Sequence, residues 1–229
     1  MSKQDIKAMF DNAVHVGHRT HKWNPRMKKY LYGEKNGVHI INLEKTAEKL
    51  DEALGFLNRL SAQGRKVLLV STKPQSMKLL EDVAGTAGMP YVTSRWIPGL
   101  LTNFKTIKTR IKYLQQLQDQ EETGEFQKYT KKEAAKLRKT IAKLSLALGG
   151  VQGMTDLPDA VFVLDVVRDE IAVDEAKKIG LPVVAFVDSN ADPSKINYPI
   201  PANDDALKSL VYLLGKVGDA LGKSSKSAK

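Results

Sequence analysis

The 229-residue sequence contains no cysteine, which excludes disulfides and thiolate metal centres and suits a reducing cytoplasm. No apolar run approaches the ~18 residues a membrane helix needs, and the N-terminus lacks the apolar core of a signal peptide. The expectation is a soluble cytoplasmic protein with no membrane partner. Neither Gly-x-Gly-x-x-Gly nor Gly-x4-Gly-Lys-Ser/Thr occurs, so the standard phosphate-cradling loops are missing. No His-x3-His falls on a helical stretch, and there is no serine nucleophile elbow. Gly149-Gly150-Val151-Gln152-Gly153 is rich in glycine, but it follows a helical stretch and reads as a hinge.

Proline is absent from residues 100–148, and two apolar stripes run through them. Leu100, Phe104, Ile107, Ile111, Leu114 and Leu117 are spaced four, three, four, three and three apart. Leu137, Ile141, Leu144 and Leu148 follow at four, three and four. That spacing keeps apolar groups on one narrow helical face, suited to a two-helix seam. Thr123-Gly124-Glu125 breaks the pattern, so an antiparallel helical hairpin is predicted. At 1.5 Å per residue, a helix over 100–120 is roughly 30 Å long. It reads as a finger inserted into the chain, not a core element.

The rest alternates short β-branched runs with short helices, with enough apolar content (42%) for a core. Strands are predicted at 37–41, 66–70, 90–92, 160–164 and 182–187. A helix over 1–13 carries Ile6, Met9, Phe10 and Ala13. Another follows Asn42 and presents Leu43, Ala47, Leu50, Leu54, Leu57 and Leu60 before Gly64. A third starts at Pro74, and a fourth carries Ile171, Ala172, Ala176 and Ile179. The last starts near Asn203 and buries Leu207, Leu210, Val211, Leu214 and Val217. Apolar strands alternating with helices imply an α/β fold, a flavodoxin/Rossmann-like doubly wound parallel sheet of about five strands with an inserted coiled-coil hairpin. The core is then 1–99 plus 149–222, with a basic N-terminal arm at 1–36, the hairpin at 100–148 and a disordered basic tail at 223–229.

Net charge is +10, unevenly spread: +5 over 1–40, +6 over 101–148 and −6 over 149–214. Clustered cations point to a polyanion, because each neutralised phosphate releases counterions. A solvated helix face is the bland alternative for the hairpin. His15-Val16-Gly17-His18-Arg19-Thr20-His21-Lys22-Trp23-Asn24-Pro25-Arg26-Met27-Lys28-Lys29-Tyr30 interleaves cations with aromatics, while Gly17 and Pro25 oppose regular structure. Arg and Lys reach phosphates, and Trp and Tyr offer faces for a splayed base, which favours RNA over a plain surface loop. Arg19, Lys22, Trp23, Arg26, Lys28 and Lys29 are the candidates there. In the hairpin they are Lys108, Lys132, Lys136 and Lys139, for RNA or a neighbouring protein.

Parallel sheets place ligands at the carboxyl ends of their strands. Here those ends carry Ser71-Thr72, Asp165 and Asp188-Ser189-Asn190. Asp165 and Asp188 could do acid–base work in a small-molecule enzyme, the competing reading. Hard carboxylates with an imidazole also make His18, Asp188 and Asp205 a candidate divalent-metal site. Asp204 and Asp205, in the first turn of the last helix, otherwise suit its macrodipole.

The segment 15–30 closely resembles the opening of the bacterial small-subunit ribosomal protein S-two family. So do Val38-His39-Ile40-Ile41-Asn42-Leu43-Glu44-Lys45-Thr46 and Arg95-Trp96-Ile97-Pro98-Gly99-Leu100-Leu101-Thr102-Asn103-Phe104, the latter with Ile97-Pro98-Gly99 where the family pattern has two glycines. Val187-Asp188-Ser189-Asn190-Ala191-Asp192-Pro193 and Ile200-Pro201-Ala202-Asn203-Asp204-Asp205-Ala206 complete a similarity covering about residues 14–214. The resemblance implies a structural constituent of the 30S subunit, with no catalysis and no required cofactor. It implies binding of 16S rRNA near the head–body junction and support for docking of the large mRNA-binding ribosomal protein S-one. The protein is expected not to be a homo-oligomer in its functional state. Arg95, Trp96, Asn103 and Lys105 join the RNA-binding candidates. Some members of the family hold a divalent metal on residues matching His18 and the acidic loops.

Overall fold

Apolar side chains at helical spacing make the first element a short helix, α1 (Lys3–Asp11), which buries Met9 and leaves Phe10 exposed, stacked on the ring of His15 at 4.3 Å. The computed structural model describes residues 3–222, and the basic tail expected at 223–229 lies outside them. Next come β1 (Val16–Arg19), two 3-10 turns (Thr20–Lys22 and Pro25–Tyr30), β2 (Leu31–Lys35) and β3 (Val38–Ile41). These strands form an antiparallel sheet of order β1-β3-β2. The β2–β3 reversal falls on Asn36-Gly37, both at positive φ (53° and 73°), the dipeptide a tight hairpin requires. The basic N-terminal arm is folded, with Met27 and Tyr30 buried. The strand expected at 37–41 belongs to this small sheet and not to the main one.

Asn42 caps α2 (Leu43–Ala62) by accepting from the backbone N–H groups of Glu44 and Lys45 at 2.9 and 3.3 Å. Then follow β4 (Val67–Val70), α3 (Met77–Ala87), β5 (Tyr91–Val92), α4 (Phe104–Glu122) and α5 (Lys131–Leu148). The chain ends with β6 (Ala160–Val163), α6 (Glu170–Lys178), β7 (Val183–Val187), β8 (Tyr198–Pro201) and α7 (Leu207–Gly222). Five strands pair in parallel in the order β5-β4-β6-β7-β8. Numbered within the sheet this is 2-1-3-4-5, the flavodoxin-like winding. Its fifth strand is β8, whose Pro199 and Pro201 disguise it. A proline cannot donate to a ladder, but β8 lies at the sheet edge and needs donors on one side only.

Alternate strand residues point to opposite faces. Val67, Leu69, Ala160, Phe162, Val184 and Phe186 pack under α1, α2, α3 and α7, with Phe162 edge-on to Phe186 at 5.1 Å. Leu68, Val70, Val161, Val163, Val183 and Ala185 face the other layer, built by α6 and the root of the α4–α5 hairpin. Leu100, Ile107, Ile111, Leu114 and Leu148 are buried in that layer. The hairpin is therefore a finger only in its distal half. Its proximal half covers the sheet. Gly124, at φ 77°, turns the chain at the tip, where Phe126 is buried.

The glycines after α5 form a tight joint, not a hinge. A Cβ on Gly150 would lie 2.3 Å from the Tyr91 carbonyl oxygen, so the hairpin's exit is pressed onto the edge strand. Several helical details also differ from expectation. α3 starts at Met77, behind a turn that holds Pro74, and α7 starts at Leu207. Leu207, Val211 and Ile171 are half exposed, and Leu213 takes the expected place of Val211 in the core.

Candidate nucleic-acid interface and the acidic crevice

The basic segment is fastened to the carboxyl end of β7. The Ser189 hydroxyl accepts from the His18 N–H at 2.7 Å, and the Ser189 carbonyl accepts from the Asn24 N–H at 2.8 Å. Gly17 is required at this contact, since a Cβ there would lie 2.8 Å from Ser189 Oγ. Arg26 pairs with Asp192 and donates to Ser194 Oγ at 3.0 Å. Burial pushes the Asp192 carboxyl up, but its bonds from Ser194 and Arg26 outweigh this and hold it below its ordinary value.

These contacts sort the RNA candidates. Arg19, Lys22 and Lys28 are exposed, and no hydrogen bond or ion pair holds their side chains among the described residues. Lys29 is exposed and lies 4.8 Å from the centre of the Tyr30 ring. Trp23 is half-buried and tilted against His39 at 5.0 Å, so one part of its ring is packed. Arg26 is a strut between the segment and the 188–194 loop. Arg95, Asn103 and Lys105 are exposed near the hairpin root, whereas Trp96 is buried and donates Nε1–H to Glu175 at 3.1 Å. Lys108 donates to the Thr155 carbonyl at 2.6 Å, while Lys132, Lys136 and Lys139 are exposed on α5.

At the switch point of the sheet, beside the ends of β4 and β6, stands Lys73. Its ammonium is buried and lies 2.6 Å from Asp205, 2.8 Å from Asp204 and 3.2 Å from Asp165. It also donates to the Asp204 carbonyl at 2.7 Å. Burial disfavours the charged amine, yet these carboxylates outweigh it and hold the Lys73 pKa above its ordinary value. Burial and the neighbouring Asp165 and Asp188 raise the Asp204 carboxyl, against the opposing pull of Lys73. Asp204 and Asp205 precede α7 and do not form its first turn. They answer Lys73, not a helix dipole.

This arrangement removes the basis for acid–base catalysis by Asp165 and Asp188. Asp165 accepts from the backbone N–H groups of Val167 and Arg168 at 3.1 and 2.9 Å as well as facing Lys73. Asp188 accepts from the Ser189 N–H and faces His18. The crevice that holds a ligand in other doubly wound sheets contains the chain's own ammonium.

His18, Asp188 and Asp205 come together in the structure. His18 sets Nδ1 3.2 Å from Asp188 and Nε2 3.2 Å from Asp205, one carboxylate at each edge of the ring. The Nδ1 contact is an ion-pair distance without hydrogen-bond alignment, so the orphaned nitrogen meets charge and not a proper acceptor. No group of three metal-ligating side chains is assembled among the described residues. The arrangement fits an imidazolium between two acids, and the Asp188 carboxylate, with help from Asp205 and Asp204, raises the His18 pKa against the effect of burial.

Two residues that organise this surface escaped the sequence reading. Lys73 follows Ser71-Thr72 at a strand end, where a cation beside three separated acids gives no local signal. Glu175 lies three residues after Ala172 and four before Ile179, on the apolar stripe of α6, and that position was the available clue. Its carboxylate is buried and accepts from Trp96 Nε1, the N–H groups of Gly99, Leu101 and Thr102, and the Thr102 hydroxyl.

The fold and these contacts occur in a sequence matched over residues 9–224 by the family model described as Ribosomal protein S2. Proteins named small ribosomal subunit protein uS2 from three strains of Dehalococcoides mccartyi are each 43% identical to it over 229 residues, covering 100% of this chain and 94% of the relative. The motifs that carry the early resemblance lie where these contacts are made, at 15–30, 95–104, 187–193 and 200–206, and the chain belongs to the ribosomal protein S2 family.

Proposed function

We propose that this protein is a structural constituent of the small ribosomal subunit that binds 16S rRNA through the cationic face of its folded N-terminal segment. It is not an enzyme, and it works in the cytoplasm as part of the ribosome. The observation that carries the reading is the set of exposed Arg19, Lys22, Lys28 and Lys29 on a segment fixed to the core by Ser189 and Asp192. Cations carried on a backbone that is already folded spare the binding step the cost of ordering that backbone. The names of its relatives support assignment to the small subunit. In this reading the contact lies near the head–body junction and the protein acts as a single copy, as the resemblance implies.

Support for docking of ribosomal protein S-one belongs to the same reading. A groove of about 300 Å³ beside α1 is lined mostly by Phe10, His15, Tyr32, Ile40, Ile41 and Leu43, with Asn42 and Glu44 as its other members. Phe10 is 59% exposed and Tyr32 81%, and no lysine or arginine lines the groove. Such a lining suits apolar side chains of a protein segment better than phosphates.

If about six phosphates are neutralised, log K for 16S rRNA falls with log salt at a slope of roughly −4 to −5. Changing Arg19, Lys22 and Lys28 to Gln removes about three contacts and makes the slope shallower by about 2. Deleting residues 1–30 is the wrong test, since it removes buried Met27 and Tyr30 with the charges. A wild-type slope near zero overturns the proposal.

A further inference from the structure

We infer that the hairpin carries a second RNA contact on one edge only, where Lys132, Lys136, Lys139 and Lys143 of α5 lie along a phosphodiester backbone. The inference rests on the RNA-binding reading and divides the hairpin's cations into binders and struts. The four lysines are spaced four, three and four, the same rhythm as the apolar seam. At 3.6 residues per turn they fall within an arc of about 60° and run about 16 Å along the helix. Ala134, Leu137, Ile141, Leu144 and Leu148 form the packed face. By the same geometry the lysine stripe is turned about 150° away from that face. All four lysines are exposed, and no hydrogen bond or ion pair holds them among the described residues.

Nothing on α5 neutralises the stripe. The helix has one acid, Glu133, and its carboxylate is turned to the N-terminus, where it accepts from the N–H and hydroxyl of Thr130 in a capping box. Two neighbouring cations that look equivalent in the sequence are already committed. Arg138 donates to Glu121 across the seam at 2.7 Å, and Lys108 is tied to the Thr155 carbonyl. The outward face of α4 is weaker, with Lys105 and Lys112 interrupted by Thr109 and Gln116 and followed by Asp119. The stripe has no aromatic among its four lysines, so it offers charge without a stacking platform. That chemistry reads phosphates and not bases, and its affinity is independent of sequence. The helix edge fits along the backbone of a duplex segment, in contrast to the Trp-bearing N-terminal segment.

The test changes Lys136, Lys139 and Lys143 to Gln and measures salt-dependent binding to 16S rRNA, with helix content followed by circular dichroism. Gln favours helices about as well as Lys, so the hairpin stays folded. The expected result is a log–log salt slope shallower by about 2 to 3 at unchanged helix content. The control changes Lys108 and Arg138 to Gln, which lowers the melting temperature of the protein and leaves the slope unchanged. An unchanged slope in the triple variant overturns the inference while leaving the N-terminal contact intact. An unchanged slope with weakened association to 30S particles also overturns it, and assigns the stripe to an acidic protein. A wild-type slope near zero removes both readings together.

Discussion

Replacing Lys73 with methionine is expected to destabilise the protein by about 3–5 kcal/mol, the range for removing one partner from a buried charged cluster. Methionine keeps much of the side-chain volume, so the loss measures charge and hydrogen bonding more than packing. What remains is Asp204, almost fully buried, facing Asp165 and Asp205 with no cation between them. For a protein of this size the melting temperature should fall by about 10 °C or more. The pH dependence follows from the sign of the remaining effects. Burial and like charges raise the Asp204 carboxyl, and Lys73 is the group that lowers it. A carboxyl with a raised folded pKa favours the fold while protonated and opposes it as pH rises through that value. The loss in the variant is therefore full at neutral pH and shrinks on acidification. Adding Asp204→Asn to Lys73→Met should recover part of the loss at pH 7. Thermal melts from pH 4.5 to 8 on the three proteins check this, and a variant that melts like wild type at pH 7 would show that Lys73 is dispensable.

Glu175→Ala carries an effect of similar size through a different element. The carboxylate gathers the loop that leads into α4 by accepting from Trp96 Nε1 at 3.1 Å, Gly99 N at 2.7 Å, and Leu101 N, Thr102 N and Thr102 Oγ1 at 3.1 Å each. Alanine leaves the buried Trp96 and Leu101 donors without an acceptor and frees the partly exposed Gly99 and Thr102 groups from the core, at a cost of about 3–5 kcal/mol in total. Glu175→Gln keeps the shape but presents an amide N–H₂ to groups that need an acceptor, and should lose about 2–4 kcal/mol. The change acts where the hairpin joins the core, so hydrogen exchange at 97–103 should rise well before exchange in β6 or β7. Burial alone would raise the Glu175 carboxyl, but the donors from Gly99, Thr102, Trp96 and Leu101 outweigh it and hold it below its ordinary 4.5. A depressed carboxyl stabilises the fold above its unfolded pKa and loses that contribution as pH falls through the folded value. The gap between wild type and Glu175→Gln should thus be constant from pH 5 to 7 and close below pH 4. A gap independent of pH would mean that the carboxylate charge is not what the loop uses.

Much of the architecture was legible where one local pattern dominates. The hairpin could be read from its four-three spacing, because a seam between two helices imposes that rhythm regardless of what the rest does. The buried strands at 67–70, 160–163 and 183–187 could be read from continuous apolar runs. β8 could not, because Pro199 and Pro201 oppose a strand everywhere except at an edge, and edge position is a property of the finished sheet. In the N-terminal segment Gly17 and Pro25 oppose regular structure locally, while Asn36-Gly37 supplies the hairpin turn. Gly17 is a glycine for a tertiary reason, its closeness to Ser189.

The candidate site was legible as composition but not as commitment. Sequence shows that residues 19–29 are basic. It cannot show that Arg26 is taken by Asp192 while no hydrogen bond or ion pair holds Lys22 and Lys28 among the described residues, because the partner of Arg26 lies more than 150 residues away. The same holds for Trp96, which matched a family motif and proved to be a core residue bonded to Glu175. His18, Asp188 and Asp205 lie together in the structure, as their places near strand ends imply. Their pairing through opposite ring edges, and the ammonium of Lys73 beside them, could come only from coordinates.

Sedimentation of the protein with 30S particles through a sucrose gradient tests the central claim most directly. Tagged wild type should co-migrate with 30S particles at low salt and be released as salt rises. The folded Arg19→Gln, Lys22→Gln, Lys28→Gln variant should be released at distinctly lower salt. Wild-type protein that stays at the top of the gradient at low salt, or a variant released at the same salt as wild type, would contradict docking through this cationic face.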